Sequence, residues 1–224
     1  MTPGLKIIYE DNHLIAVNKP AGVLVHDDIT GDGTLKAMVQ SYIKHRYKKP
    51  GDVYLGVIHR IDRPVSGVVI FARTSKALSR MNAIFQAREI EKNYRAIVWE
   101  RTPKLEGRLV NYMVKDNSKN KSKVYDIPKS NRKKAILDYR MLSEVSHYIM
   151  LEVKPITGRS HQIRAQLAHV GSTIVGDRKY GYRKFNQDRS ICLHCHSLSF
   201  QHPVKKTPVH ITADLPESEF WRLF

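Results

Sequence analysis

Hydrophobic and polar positions alternate with a period of two over much of the chain, and this alternation predicts strands. Residues 5–9 and 13–18 read as two short strands across an Asp11-Asn12 turn, after which Lys19-Pro20-Ala21-Gly22 breaks the pattern. At Thr34 the period changes: Leu35, Met38, Val39, Tyr42 and Ile43 recur on one face at helical spacing. Strands are expected near 53–58 and 68–72, then a second helix over 75–88 with Leu78, Met81, Ile84 and Phe85 as its apolar face. Further strands are expected at 94–98, 135–142 and 148–153; in the last, Ile149, Leu151 and Val153 alternate with Tyr148, Met150 and Glu152. A third helix is expected over 160–170, with Ser160 as N-cap and Gly171 just past its end. Strands at 191–200 and 209–213 close the chain. Few helices and many strands, without a regular βαβ alternation, predict a single α+β domain over 1–224. Its central sheet should be mixed and largely antiparallel, flanked by helices and loops.

Residues 115–134 differ from the rest. Eight of them are Lys or Arg and two are Asp, with little apolar pattern, so they read as a basic surface excursion, either mobile or ordered by a partner.

Charge then narrows the partner. Lys plus Arg number 38 against 21 Asp plus Glu, a formal net charge of +17. Such a surplus favours a polyanion, because each phosphate neutralised releases condensed counterions. There is no apolar run long enough for a membrane span and no apolar leader with a small-residue cleavage site, so a cytoplasmic protein is expected. Cys192 and Cys195 give no disulfide framework. Cys192-Leu193-His194-Cys195-His196 has the residue types of a zinc site. Strand alternation, however, would send Cys195 to the face opposite Cys192, His194 and His196, and no second CxxC pair exists, so no metal is expected.

Two segments carry candidate chemistry. His59-Arg60-Ile61-Asp62-Arg63-Pro64-Val65-Ser66-Gly67 joins two apolar strands and sets an acid between arginines, where active-site groups are commonly displayed. Taken by itself it is better explained as a turn whose Asp caps a backbone N–H. Thr157-Gly158-Arg159-Ser160-His161-Gln162-Ile163-Arg164 opens the third helix. Ile163, Leu167 and Val170 should bind that helix to the core, with Arg164 about 100° round from Ile163 at the edge of the buried face. An arginine there suits a partly buried carboxylate; it equally suits a surface stem covering apolar area.

Together with Lys92-Asn93-Tyr94-Arg95-Ala96, these segments resemble the RluA-type family of pseudouridine synthases. Asn18-Lys19-Pro20-Ala21-Gly22 with Val25-His26 is similar to that family's opening motif. Gly176-Asp177-Arg178-Lys179-Tyr180-Gly181, Leu193-His194-Cys195-His196 and Phe200-Gln201-His202-Pro203 resemble its later ones, so the likeness spans nearly the whole chain in order. The resemblance implies the pseudouridine synthase fold and isomerisation of uridine in structured RNA, ribosomal RNA being favoured over transfer RNA. It assigns the nucleophile to Asp62, the base-displacing residue to Arg60, the ring-stacking residue to Tyr94 and the aspartate-pairing residue to Arg164. Lys19, Arg159 and His161 are expected to contact RNA as well. The chemistry asks for one carboxylate and no cofactor, and nothing demands more than a monomer. The rival is a non-catalytic RNA-binding or RNA-folding factor that retains the fold; a pure binder has no need of a carboxylate facing phosphate-rich RNA.

Overall fold

The computed structural model describes residues 5–26 and 33–224. In chain order the elements are β1 (Lys6–Glu10), β2 (Leu14–Lys19), α1 (Leu35–Arg46), β3 (Gly56–Val57), β4 (Ser66–Ala72), α2 (Ser75–Ala87) and β5 (Ile90–Trp99). There follow β6 (Glu106–Asp116), β7 (Lys121–Tyr125), β8 (Lys133–Val145), β9 (Tyr148–Pro155), α3 (Gln162–His169), β10 (Thr173–Ile174), β11 (Leu193–Gln201) and β12 (Pro208–Thr212). The secondary structure is α+β, with a large sheet whose pairs β1–β2, β2–β4, β3–β4, β5–β9, β5–β10, β6–β7, β6–β8, β8–β9 and β11–β12 are antiparallel. Two compact units are built from it. One comprises residues 1–91 and 195–215, the other 92–194 and 216–224.

In the first unit the strands run β1-β2-β4-β11-β12, with β3 also on β4. All seven residues of β4 are buried, as a strand enclosed on both sides requires. Helix α1 starts where the sequence predicts: the Thr34 hydroxyl accepts from the Ala37 N–H, and Leu35, Val39 and Ile43 face inward. Thr74 caps α2 in the same way, through the Ala77 N–H. Gly67, at the start of β4, has φ of +115°, and a Cβ there would stand 2.2 Å from the Cys195 carbonyl oxygen. Only glycine lets these two backbones meet so closely.

In the second unit the order is β5-β9-β8-β6-β7, with β10 on the other edge of β5. Helix α3 is buried along most of its length, from Gln162 to Leu167. Two expectations change here. The basic stretch 115–134 is a hairpin rather than a loop: β6 pairs with β7 from Tyr112↔Tyr125 to Asp116↔Lys121, and β6 continues along β8. In β7 the buried Ser122 stands between the partly exposed Lys121 and the exposed Lys123, so the alternation escapes a hydrophobicity reading. Ser160 does not cap α3. The residue at that position is His161, in left-handed conformation at φ 54°, and it makes no side-chain cap.

Candidate active site

The Asp62 segment lies in the first unit. The His59 imidazole anchors it: Nε2 accepts from the Ile70 N–H at 3.1 Å, and the ring stacks on Phe85 with centroids 5.2 Å apart. One residue on, Arg60 is exposed, Ile61 is buried and Asp62 is half-buried. The chain then turns, the Val65 N–H donating to the Asp62 carbonyl at 3.0 Å. A turn between two strands thus presents a cation outward and sets a carboxylate two residues away.

That turn is locked from below by Lys19, which is fully buried. Its ammonium donates to the carbonyls of Pro20 (2.9 Å), Val23 (2.8 Å) and Arg63 (3.1 Å). The Gly22 N–H also donates to the Arg63 carbonyl, while Arg63 Nε donates back to the Gly22 carbonyl. The opening motif and the Asp62 turn are therefore one hydrogen-bonded body. Burial drags the Lys19 pKa down to about 7; the charge of Asp62 opposes that shift and Arg63 adds to it. All three ammonium donors of Lys19, from which an RNA contact is expected, go to backbone carbonyls.

The remaining predicted residues lie in the second unit. Tyr94, half-buried on β5, pairs with Val153 of β9. Its neighbours Asn93 and Arg95 point to the other face, where both donate to Glu152 Oε1, at 2.9 and 3.0 Å. Burial raises the Glu152 pKa, but the Asn93 and Arg95 hydrogen bonds outweigh it and hold the carboxyl below its usual range. The strand carrying Tyr94 is thereby pinned against β9.

The approach to α3 is organised by Thr157 and Gln162. Thr157 Oγ1 accepts from the Ile136 N–H (2.8 Å) and donates to Gln162 Oε1 (2.7 Å), which also accepts the Arg159 N–H (2.9 Å). Arg159 is partly exposed and donates through Nε to the Lys134 carbonyl, at the base of the basic hairpin. His161 is held in its left-handed conformation with Nδ1 2.9 Å from the Tyr180 hydroxyl, which accepts the Ser122 N–H at 2.8 Å. A non-glycine residue in that conformation is strained and persists only where its surroundings fix it.

Arg164 is buried rather than at the edge of the buried face. Its Nε and Nη2 form a bidentate pair with Asp177, at 2.7 and 2.9 Å, and Asp177 is 1% exposed. The Arg164 guanidinium and the Lys121 ammonium also lie 5.1 and 5.0 Å from the Tyr180 ring centre. Sequence reasoning gave no role to Asp177 or Tyr180, although both stand in the quoted Gly176–Gly181 motif. The left-handed Gly176 and the 3-10 turn Arg178–Tyr180 carry them back towards α3.

The profile of the RNA pseudouridylate synthase family matches residues 13–169. A ribosomal large subunit pseudouridine synthase C from Buchnera aphidicola is 35% identical over 218 residues, 93% of this chain and 66% of that protein. A tRNA pseudouridine synthase C from Vibrio cholerae is 31% identical, covering 95% of this chain and 92% of its own length. A ribosomal large subunit pseudouridine synthase D from Zymomonas mobilis is 32% identical, over 95% and 70%. Among solved structures, human RNA Pseudouridylate Synthase Domain Containing 4 superposes with a TM-score of 0.79 at 22% identity, over 95% of this chain and 89% of that one. The chain thus spans between about two thirds and nine tenths of the relatives it matches.

Proposed function

Because the chain belongs to the RNA pseudouridylate synthase family, we propose that it isomerises particular uridines to pseudouridine in structured RNA, with Asp62 as nucleophile or base. The observation that carries this reading is the Asp62 turn itself. It offers an exposed arginine and a half-buried carboxylate two residues apart, on a backbone fixed by the buried Lys19 ammonium.

The reaction breaks the C1′–N1 bond of uridine, turns the base and rejoins it through C5. A stacked base is out of reach, so the nucleotide must leave the stack at a cost of a few kcal/mol. Arg60 suits the vacated place, because its planar guanidinium stacks on neighbouring bases and bonds phosphate at once. Asp62 then attacks the sugar or the base, or removes a sugar proton. Tyr94 supplies a flat face for the uracil, and its hydroxyl can serve the proton at C5. Arg164 supports the reacting carboxylate electrostatically. Arg159 and His161 contact the RNA backbone near the basic hairpin, whose outward Lys123 and partly exposed Lys121 suit phosphate. Ribosomal RNA is favoured as substrate because relatives from Buchnera aphidicola and Zymomonas mobilis are named for the large ribosomal subunit.

The test is nucleoside analysis. Unmodified ribosomal and transfer RNA are incubated with the protein, digested and separated by chromatography. A new pseudouridine peak with either RNA supports the reading. Its absence with both, while the RNA is still bound, favours the non-catalytic RNA-binding factor.

A further inference from the structure

We propose that the C-terminal end of α1 is a second RNA contact, which grips the substrate at the end of the first unit opposite the Asp62 turn. This deepens the reading of the chain as an RNA-modifying enzyme and rests on it for the identity of the polyanion.

Charge and backbone point there together. Lys44, Arg46, Lys48 and Lys49 are all exposed, around Tyr47 at 44% exposure. Helix α1 ends in a Schellman motif: the Lys48 N–H donates to the His45 carbonyl at 3.4 Å, and the Lys49 N–H to the Lys44 carbonyl at 3.0 Å. That geometry puts Lys48 in the left-handed region, at φ 48°, where glycine is the favoured residue. A cation near a helix C-terminus interacts well with the helix dipole, but Lys44, His45 and Arg46 already supply that in the last turn. The dipole therefore does not account for a lysine held in a strained conformation.

The aromatic residues add a stacking surface. The Tyr47 hydroxyl donates to Glu10 Oε1 at 2.8 Å, and Arg73 and Arg46 lie 4.9 and 5.9 Å from its ring centre. Glu10 is mostly buried and also receives Tyr42 and Arg73, so its charge is consumed within the cluster and the outer cations keep their excess. Nearby, Tyr54 is 48% exposed and lines a cleft of about 380 Å³ with Lys49, Arg73 and Asp52. Cations interleaved with half-exposed tyrosines fit an RNA segment whose phosphates lie on the lysines and whose bases stack on the rings. Asp52 offers an acceptor for a base amino group.

Position gives the contact its meaning. Strands β2 and β4 pair from Lys19↔Gly67, next to the Asp62 turn, to Leu14↔Ala72, next to Arg73. Gly67 and Ala72 are five strand steps apart, which separates these ends by about 17 Å. A grip there holds RNA beyond the reacting nucleotide and leaves the chemistry untouched.

The test compares wild type with Lys48→Gly/Lys49→Ser and with Tyr54→Ala, using unmodified large-subunit ribosomal RNA. Lys48→Gly relieves the left-handed strain, so the thermal midpoint of the double variant should match or exceed that of wild type. Its RNA affinity should fall about tenfold near 0.1 M salt, and the slope of log K against log salt should drop by about 2. Tyr54→Ala should weaken binding by about tenfold with the salt slope unchanged, which loss of general charge cannot imitate. In both variants KM should rise while turnover at saturating RNA holds. Wild-type affinity in either variant overturns the proposal. If wild type itself forms no pseudouridine, the functional reading fails instead, and the binding comparison still judges this surface.

Discussion

Replacing Arg164 by methionine should destabilise the protein severely, for a reason separate from catalysis. Asp177 is 1% exposed, and both of its oxygens receive Arg164 N–H groups, at 2.7 and 2.9 Å. Methionine fills much of the arginine's volume but leaves a buried carboxylate without its cation. Removing one partner of such a pair costs about 3–5 kcal/mol. Loss of the guanidinium over Tyr180, at 5.1 Å, adds to that. Against a typical total of about 5–15 kcal/mol this is a large share. In a chain of this length it corresponds to a fall of about 6–20 °C in Tm. Urea unfolding followed by circular dichroism measures it. Arg164→Met/Asp177→Leu removes both charges together and should recover most of the loss, because an apolar pair of similar volume is often no worse than the ion pair. A loss under about 1 kcal/mol in Arg164→Met, or a double variant less stable than the single, would refute this reasoning. The same experiment guards against misreading activity: turnover lost in Arg164→Met counts as chemistry only under conditions where the variant is folded.

Two more predictions concern the scaffold under Asp62. Gly67→Ala should fold poorly or not at all, since its Cβ would meet the Cys195 backbone at 2.2 Å in a left-handed conformation; expression and Tm check this, and a Tm within about 2 °C of wild type would contradict it. Lys19 binds a proton less readily folded, at about 7, than unfolded, at 10.5, so between those values the unfolded chain holds more of that proton and stability rises with pH. Wild type should therefore gain on Lys19→Met by on the order of 1 kcal/mol per pH unit from pH 7 to 10. A pH-independent difference between the two denaturation curves would show that Lys19 does not titrate there.

Much of this was legible in the sequence, and the reasons are local. Thr34, the spacing of Leu35, Val39 and Ile43, and the apolar run from Val68 to Ala72 state their elements through periodicity and capping. Strand β7 was not legible, because Lys121, Ser122 and Lys123 stand where a pattern reading wants Val and Ile; β6 was missed although Leu109, Val110, Met113 and Val114 lie in it. Residue type misled at Lys19: lysine is usually exposed, and three backbone carbonyls meeting at one point leave no trace in the chain. His161 displaced Ser160 as the cap because its ring is drawn to Tyr180, 19 residues on. Asp177 escaped because its partnership with Arg164 depends on the turn at Gly176, a tertiary fact. The candidate site residues came from a family resemblance; by themselves, their spacing fitted an ordinary turn and an ordinary helix start.

The central claim is that Asp62 carries the chemistry. Its most direct measurement is tritium release from ribosomal and transfer RNA labelled with 5-³H-uridine, wild type against Asp62→Asn. Making the new bond at C5 expels the label, so wild type should release it, while Asp62→Asn should release none and still bind the RNA. Equal release by both proteins would contradict the account and move the nucleophile elsewhere.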